Sequence, residues 1–123
     1  MNINVIDGIK SIKIEVRRVG FFGKFIGLMF KTCKTGNLLF EFSKNTQLSI
    51  HSIFVFFPFL AVWLDDKNRV VEKRIVKPFT IAVLPKKLFR KLIEIPFNSK
   101  NYAVLKKLGF SVGKKRFKYI NVF

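Results

Sequence analysis

The sequence predicts a mainly β protein, a compact antiparallel sandwich or partly closed barrel with one or two short helices, in a single domain spanning residues 1–123. Three observations lead there. Ile12, Ile14 and Val16 alternate with Lys13, Glu15 and Arg17, the two-residue period of a strand with one face in the core. Turn-forming residues and prolines recur at short spacing, at Asp7-Gly8, Pro58, residues 65–68, Pro78, Pro85 and Pro96, and leave little room for long helices. From Ile53 to Leu64 every residue is apolar, with Pro58 as punctuation. In water such a run is buried on most sides, as a central strand pair would be.

Taken in order, residues 2–17 read as a hairpin turning at Asp7 and Gly8. Within residues 20–30, Phe21, Phe22, Phe25, Ile26 and Met29 recur at helical spacing and predict a short covering helix, followed by a loop over 31–37. Residues 38–42 form a short strand, 43–46 a polar turn, and 48–56 a strand broken by Phe57 and Pro58. Residues 60–64, the turn 65–68 and the arm 69–76 complete a three-stranded meander. Residues 79–84 are expected to be extended. Leu88, Leu92, Ile93 and Ile95 mark a strand that Pro96 ends. Ser99 is the expected N-cap of a short helix over 100–108 with Val104, Leu105 and Leu108 inward, and Gly109 ends it. Residues 116–123 form a last strand.

A chain of 123 residues buries about two-thirds of the surface its unfolded form exposes, so it folds without staples. The 16 Phe and the single Trp63 supply an aromatic core. One cysteine, Cys33, forms no internal disulfide and points to a reducing, cytoplasmic setting. The alternating first residues read as a strand rather than a signal peptide. The apolar run 53–64 is shorter than the roughly 20 residues of a transmembrane helix, so no transmembrane segment is expected. The net charge of +17 attracts polyanions, nucleic acid or an anionic membrane surface.

Several motifs follow one another in a familiar order. Gly27, Leu28, Met29, Phe30 and Lys31 match a Gly-Leu-Met-Phe-basic signature, and residues 38–42 a Leu-Leu-Phe-x-Phe strand. Ile50, His51, residues 54–58, Leu64 and Asp65 follow an Ile-His-x-x-Phe-Val-Phe-Phe-Pro and Leu-Asp pattern, continued by Val70, Val71, Glu72 and residues 76–79. The chain resembles domain-of-unknown-function family 192, in the pattern of its archaeal cytoplasmic members, over about residues 10–115. The resemblance implies a compact, mainly antiparallel β domain with no established activity, cofactor or partner. Members usually carry an aspartate two residues after the central proline, where this chain has Leu60; Asp65 and Glu94 are retained.

The residues specify no reaction. With one histidine, His51, a multi-histidine metal site is excluded, and Cys33 lies in a basic loop without a nucleophile elbow, so neither metal nor cofactor is expected. Asp65-Asp66-Lys67-Asn68 suits a hairpin loop, and Glu41, Glu72 and Glu94 are expected to pair with Lys. Basic residues cluster in the last third: Lys86, Lys87, Arg90 and Lys91; Lys100, Lys106 and Lys107; and Lys114, Lys115, Arg116 and Lys118, interleaved with Phe117 and Tyr119. These form a candidate polyanion surface with RNA ahead of DNA as partner, through phosphate neutralisation. That reading is of a non-enzymatic binding or accessory protein. Two alternatives stand beside it: a small enzyme or ligand-binding protein with a pocket near His51, Asp65 and Glu94, and a membrane-surface protein using Lys and exposed Phe. Oligomeric state is not encoded in any motif.

Overall fold

β1 (Asn2–Asp7) and β2 (Lys10–Glu15) pair antiparallel from Asn2 opposite Glu15 to Asp7 opposite Lys10. Gly8, at φ +65°, makes the tight turn between them, a conformation that costs glycine nothing. The alternation buries Ile3, Val5, Ile12 and Ile14 on one side and leaves Lys13 and Glu15 in solvent, as expected. The computed structural model describes residues 1–20, 31, 35–50, 52 and 55–110. The helix expected within 20–30, Cys33, His51, the cluster 114–118 and the strand over 116–123 lie outside the described residues.

The remaining strands, β3 (Arg17–Arg18), β4 (Leu38–Thr46), β5 (Phe59–Leu64), β6 (Val70–Val76) and β7 (Phe89–Pro96), form one sheet in the order β3-β4-β7-β5-β6. All pairings are antiparallel except β3 with β4. The described residues thus form a mainly β fold of two sheets that do not close into a barrel, with one short helix.

Every residue of β5 is buried, because both faces of the sheet are covered. On one face, the hairpin face, Leu60, Val62, Leu64, Ile93 and Ile95 pack against Val5, Ile12 and Ile14, and against Leu105 and Leu108. On the other, the loop face, Phe59, Ala61, Trp63, Phe40, Phe89 and Leu92 pack beneath Val55, Phe57 and Val83. A continuous apolar run therefore serves two cores at once.

Two expectations are corrected here. Residues 48–56 were expected as a strand, but their described part carries only one isolated bridge, Ile50 to Val83; β5 takes β7 as its second neighbour instead. β7, with Leu92, Ile93 and Ile95, is buried on both faces and satisfies β5's free edge, while Ile50, Val55 and Phe57 cover the loop face. The polar turn expected over 43–46 continues β4 to Thr46, past a bulge between Glu41 and Thr46.

After β7 the chain makes a 3-10 turn (Ser99–Asn101) and helix α1 (Tyr102–Lys107). The cap is Asn98 rather than Ser99: its side-chain oxygen accepts from the Asn101 amide at 3.0 Å. Gly109, at φ +94°, ends the helix as its sequence position predicts.

Candidate functional site

Asp65 sits at the end of β5 and closes the β5–β6 turn. Its Oδ1 accepts from the Lys67 and Arg69 amides, each at 2.9 Å, and its Oδ2 accepts from Arg69 Nε at 2.7 Å. Partial burial pushes this carboxyl up, but the hydrogen bonds and charge of Arg69 and the Lys67 amide outweigh it and hold the group below the ordinary aspartate value. With Asn68 at φ +62°, the segment is a turn whose acid is fully occupied.

Glu94 is different. It stands in β7 opposite Leu38 of β4 and Ala61 of β5, on the loop face, and is buried. No hydrogen bond reaches its carboxyl among the described residues. Burial alone pushes the group up to about 8, so the protonated form prevails at neutral pH. Glu41 and Glu72 form ion pairs, but with arginines, Arg18 and Arg74, rather than the lysines expected, and Glu94 forms none among the described residues. Nor does the fold join it to Asp65. Leu64 lies opposite Lys91 and Ala61 opposite Glu94, so the two carboxylates are about four residues apart, on the order of 13 Å along the strand. Of the pocket expected from His51, Asp65 and Glu94, the two described members are thus a half-buried turn residue and a buried residue of the sheet. Among the described residues no group of three His, Cys, Asp or Glu side chains is placed to hold a metal ion.

The described members of the basic clusters do not share one surface. Lys86 follows the cover over the loop face, and its amide donates to Glu72 Oε1 at 2.7 Å; Glu72 lies opposite Trp63 on that face. Lys87 is exposed beside it. Lys106 and Lys107 project from α1, which packs on the hairpin face. Arg90 and Lys91 are engaged within the sheet: Arg90 Nε donates to the Phe42 carbonyl at 2.8 Å, and Lys91 Nζ donates to Asn68 Oδ1 at 2.6 Å.

A different concentration of charge appears where β2 and β3 meet the turn after β7. A groove of about 800 Å³ opens there, lined among others by Arg17, Arg18, Asn37, Asn98 and Lys100. Arg18 pairs with Glu41, and Arg17 and Lys100 are exposed. Asn37 is fixed by donating its side-chain amide to the Glu15 carbonyl at 3.0 Å, while its Oδ1 is buried with no donor among the described residues. Of these residues only Lys100 stood out in the sequence. Arg17 and Arg18 read as the solvent side of a strand, and nothing local links them to residue 100.

No family profile and no curated protein matches this sequence. Solved structures do share the fold. One is a candidate transcription regulator from Sinorhizobium meliloti 1021, with a TM-score of 0.69 at 14% identity, covering 89% of this chain and 86% of that one. Another is a protein of unknown function from Novosphingobium aromaticivorans DSM 12444, with a TM-score of 0.67 at 16% identity, covering 91% of this chain and 80% of that one. At these identities the likeness is one of fold.

Proposed function

We propose that the chain is a cytoplasmic, non-enzymatic binding protein of archaeal type from domain-of-unknown-function family 192, and that it engages a polyanion, RNA ahead of DNA. The observation that carries this reading is the groove beside Arg17, Arg18 and Lys100, a half-apolar hollow with three cations, Arg18 paired with Glu41 and Glu15 also in the lining, in a chain of charge +17. A concave site gathers phosphate contacts that a convex lysine surface spreads out. Lys106 and Lys107 continue the positive surface from Lys100 along the same layer, and Lys114, Lys115, Arg116 and Lys118 extend it in sequence. Lys86 and Lys87 lie on the opposite face of the sheet and stand outside this site. That a protein of the same fold is a candidate transcription regulator is in keeping with a nucleic-acid partner.

The test is binding of labelled RNA, labelled DNA and heparin across a salt series, for the wild type, an Arg17→Ala/Lys100→Ala variant and a Lys114→Ala/Lys115→Ala/Arg116→Ala variant. RNA binding that survives physiological salt, exceeds heparin binding and weakens in a variant supports the reading. Weak binding that vanishes by physiological salt for all three polyanions sinks it.

A further inference from the structure

The cover over the loop face is built from two segments, the described residues of 47–58 (47–50, 52 and 55–58) and 77–88. They are laced together: Ile50 and Val83 exchange backbone hydrogen bonds at 2.9 and 2.7 Å, the Ser52 amide donates to the Thr80 carbonyl at 2.8 Å, and Gln47 Nε2 donates to the Pro85 carbonyl at 2.9 Å. Val55, Phe57 and Val83 face inward and complete the core. On the outside the same segments expose Leu48, Phe56, Phe79, Ile81, Leu84 and Leu88, each by more than half and Ile81 by 80%. Phe56 and Phe79 meet edge to face across the two segments, ring centroids 5.5 Å apart. Phe79 holds its outward place at φ +61°, a backbone conformation unfavourable for an aromatic residue. One exposed leucine needs no explanation; six large apolar side chains on two laced loops form a patch that marks an interaction surface.

The charge around that patch names the partner. Lys77, Lys86 and Lys87 are exposed in the second segment, and neither segment contains an Asp or Glu. The nearby Glu72 is engaged by Arg74 and by the Lys86 amide. We propose that this face docks on an anionic lipid surface, with Phe79, Ile81 and Leu84 entering the boundary between headgroups and acyl chains and the lysines meeting the headgroup phosphates. A second copy of the chain fits poorly, since pairing would oppose two +17 molecules through loops that carry no carboxylate. RNA offers bases to stack on Phe but nothing for Ile81, Leu84 and Leu88. The five-stranded sheet separates this patch from the Arg17–Lys100 groove, whose lining includes Val16 and Val104 of the hairpin-face core, so the two surfaces act independently.

The experiment is cosedimentation of the full chain with phosphatidylcholine vesicles and with vesicles containing phosphatidylglycerol, at low and physiological salt. The variants are Ile81→Ser/Leu84→Ser, Phe79→Asn, Lys86→Ala/Lys87→Ala and, as a control, Arg17→Ala/Lys100→Ala, each checked for folding by circular dichroism. Phe79→Asn suits a positive φ and removes the ring, so it reports on docking even where the double serine variant misfolds. Expected is partition onto the anionic vesicles alone, lowered about tenfold or more by the apolar variants and roughly tenfold by the lysine pair, and unchanged in the groove variant. Equal binding to both vesicle types, no binding to either, or binding indifferent to the patch variants would overturn the proposal. So would a concentration-dependent dimer, seen by sedimentation, that Phe79→Asn dissociates.

Discussion

Lys73 Nζ donates to the Asp7 carboxylate at 2.6 Å, and to the Leu108 carbonyl at 2.7 Å. One ammonium thus ties the turn of the first hairpin, the edge strand β6 and the residue after α1, three elements far apart in sequence. Both ionic side chains are mostly sheltered, which protects the pair from screening more than an exposed ion pair. Replacing Lys73 with Met leaves the Leu108 carbonyl and Asp7 without their donor. The expected loss is about 1–2 kcal/mol in urea unfolding at neutral pH.

The buried Glu94 sets a pH dependence of stability. Its carboxyl titrates at about 8 in the folded chain against an ordinary 4.5, so between these values the folded state holds a proton that the unfolded state has lost. Stability from this group is fully present below about 4.5 and declines as pH rises to about 8, a total on the order of several kcal/mol. Glu94→Gln keeps the shape and removes the ionisation. The variant is expected to gain stability over the wild type at pH 7–8 and to match it at pH 4–5, as read from urea midpoints; a gain independent of pH would contradict the assignment.

Asp65 behaves in the opposite sense. Its folded carboxyl is held below the ordinary 3.8, so its contribution is present above that value and lost as pH falls through the folded one. Asp65→Ala is expected to cost about 1–2 kcal/mol at pH 7, through the loss of three acceptor contacts in the β5–β6 turn, and less near pH 3. Thermal melts at the two pH values measure the difference.

Trp63 is fully buried, yet its Nε1 has no acceptor among the described residues. Its ring lies edge-on to Phe89 at 6.5 Å and beneath the Arg74 guanidinium at 5.7 Å. Trp63→Phe removes volume but also an unsatisfied donor, so it is expected to cost about 1–2 kcal/mol. Trp63→Ala, which opens the cavity without that offset, costs about 3–5 kcal/mol. Denaturant unfolding of the two variants checks the ratio.

Local chemistry in the sequence was enough for the first hairpin, where Ile12, Ile14 and Val16 alternate with charge around Asp7-Gly8, and for β5, the Asp65–Asn68 turn and β6. It was enough for β7, ended by Pro96, and for a short helix stopped by Gly109. Each depends on periodicity or on a backbone conformation that a few adjacent residues set. The charge of +17 was likewise legible, as was the absence of a multi-histidine metal set.

Tertiary structure decided which segments became partners. Residues 48–56 carry six apolar residues of nine, enough to read as a strand, and periodicity cannot say that β7, some thirty residues onward, takes the place beside β5. That choice turns the described residues of 47–58, and 77–88, into a cover, which puts Phe56 and Phe79 in solvent although Phe57 and Val83 of the same segments are core. It also places Glu94 between Leu38 and Ala61, with no ion pair among the described residues, and sends Lys86 and Lys106 to opposite faces of one sheet. The groove beside Arg17, Asn37 and Lys100 exists only once β3, β4 and the turn after β7 are assembled. The reason is general: strand formation is read from neighbours in the chain, whereas pairing, burial of a carboxylate and the gathering of cations are set by contacts between residues far apart in it.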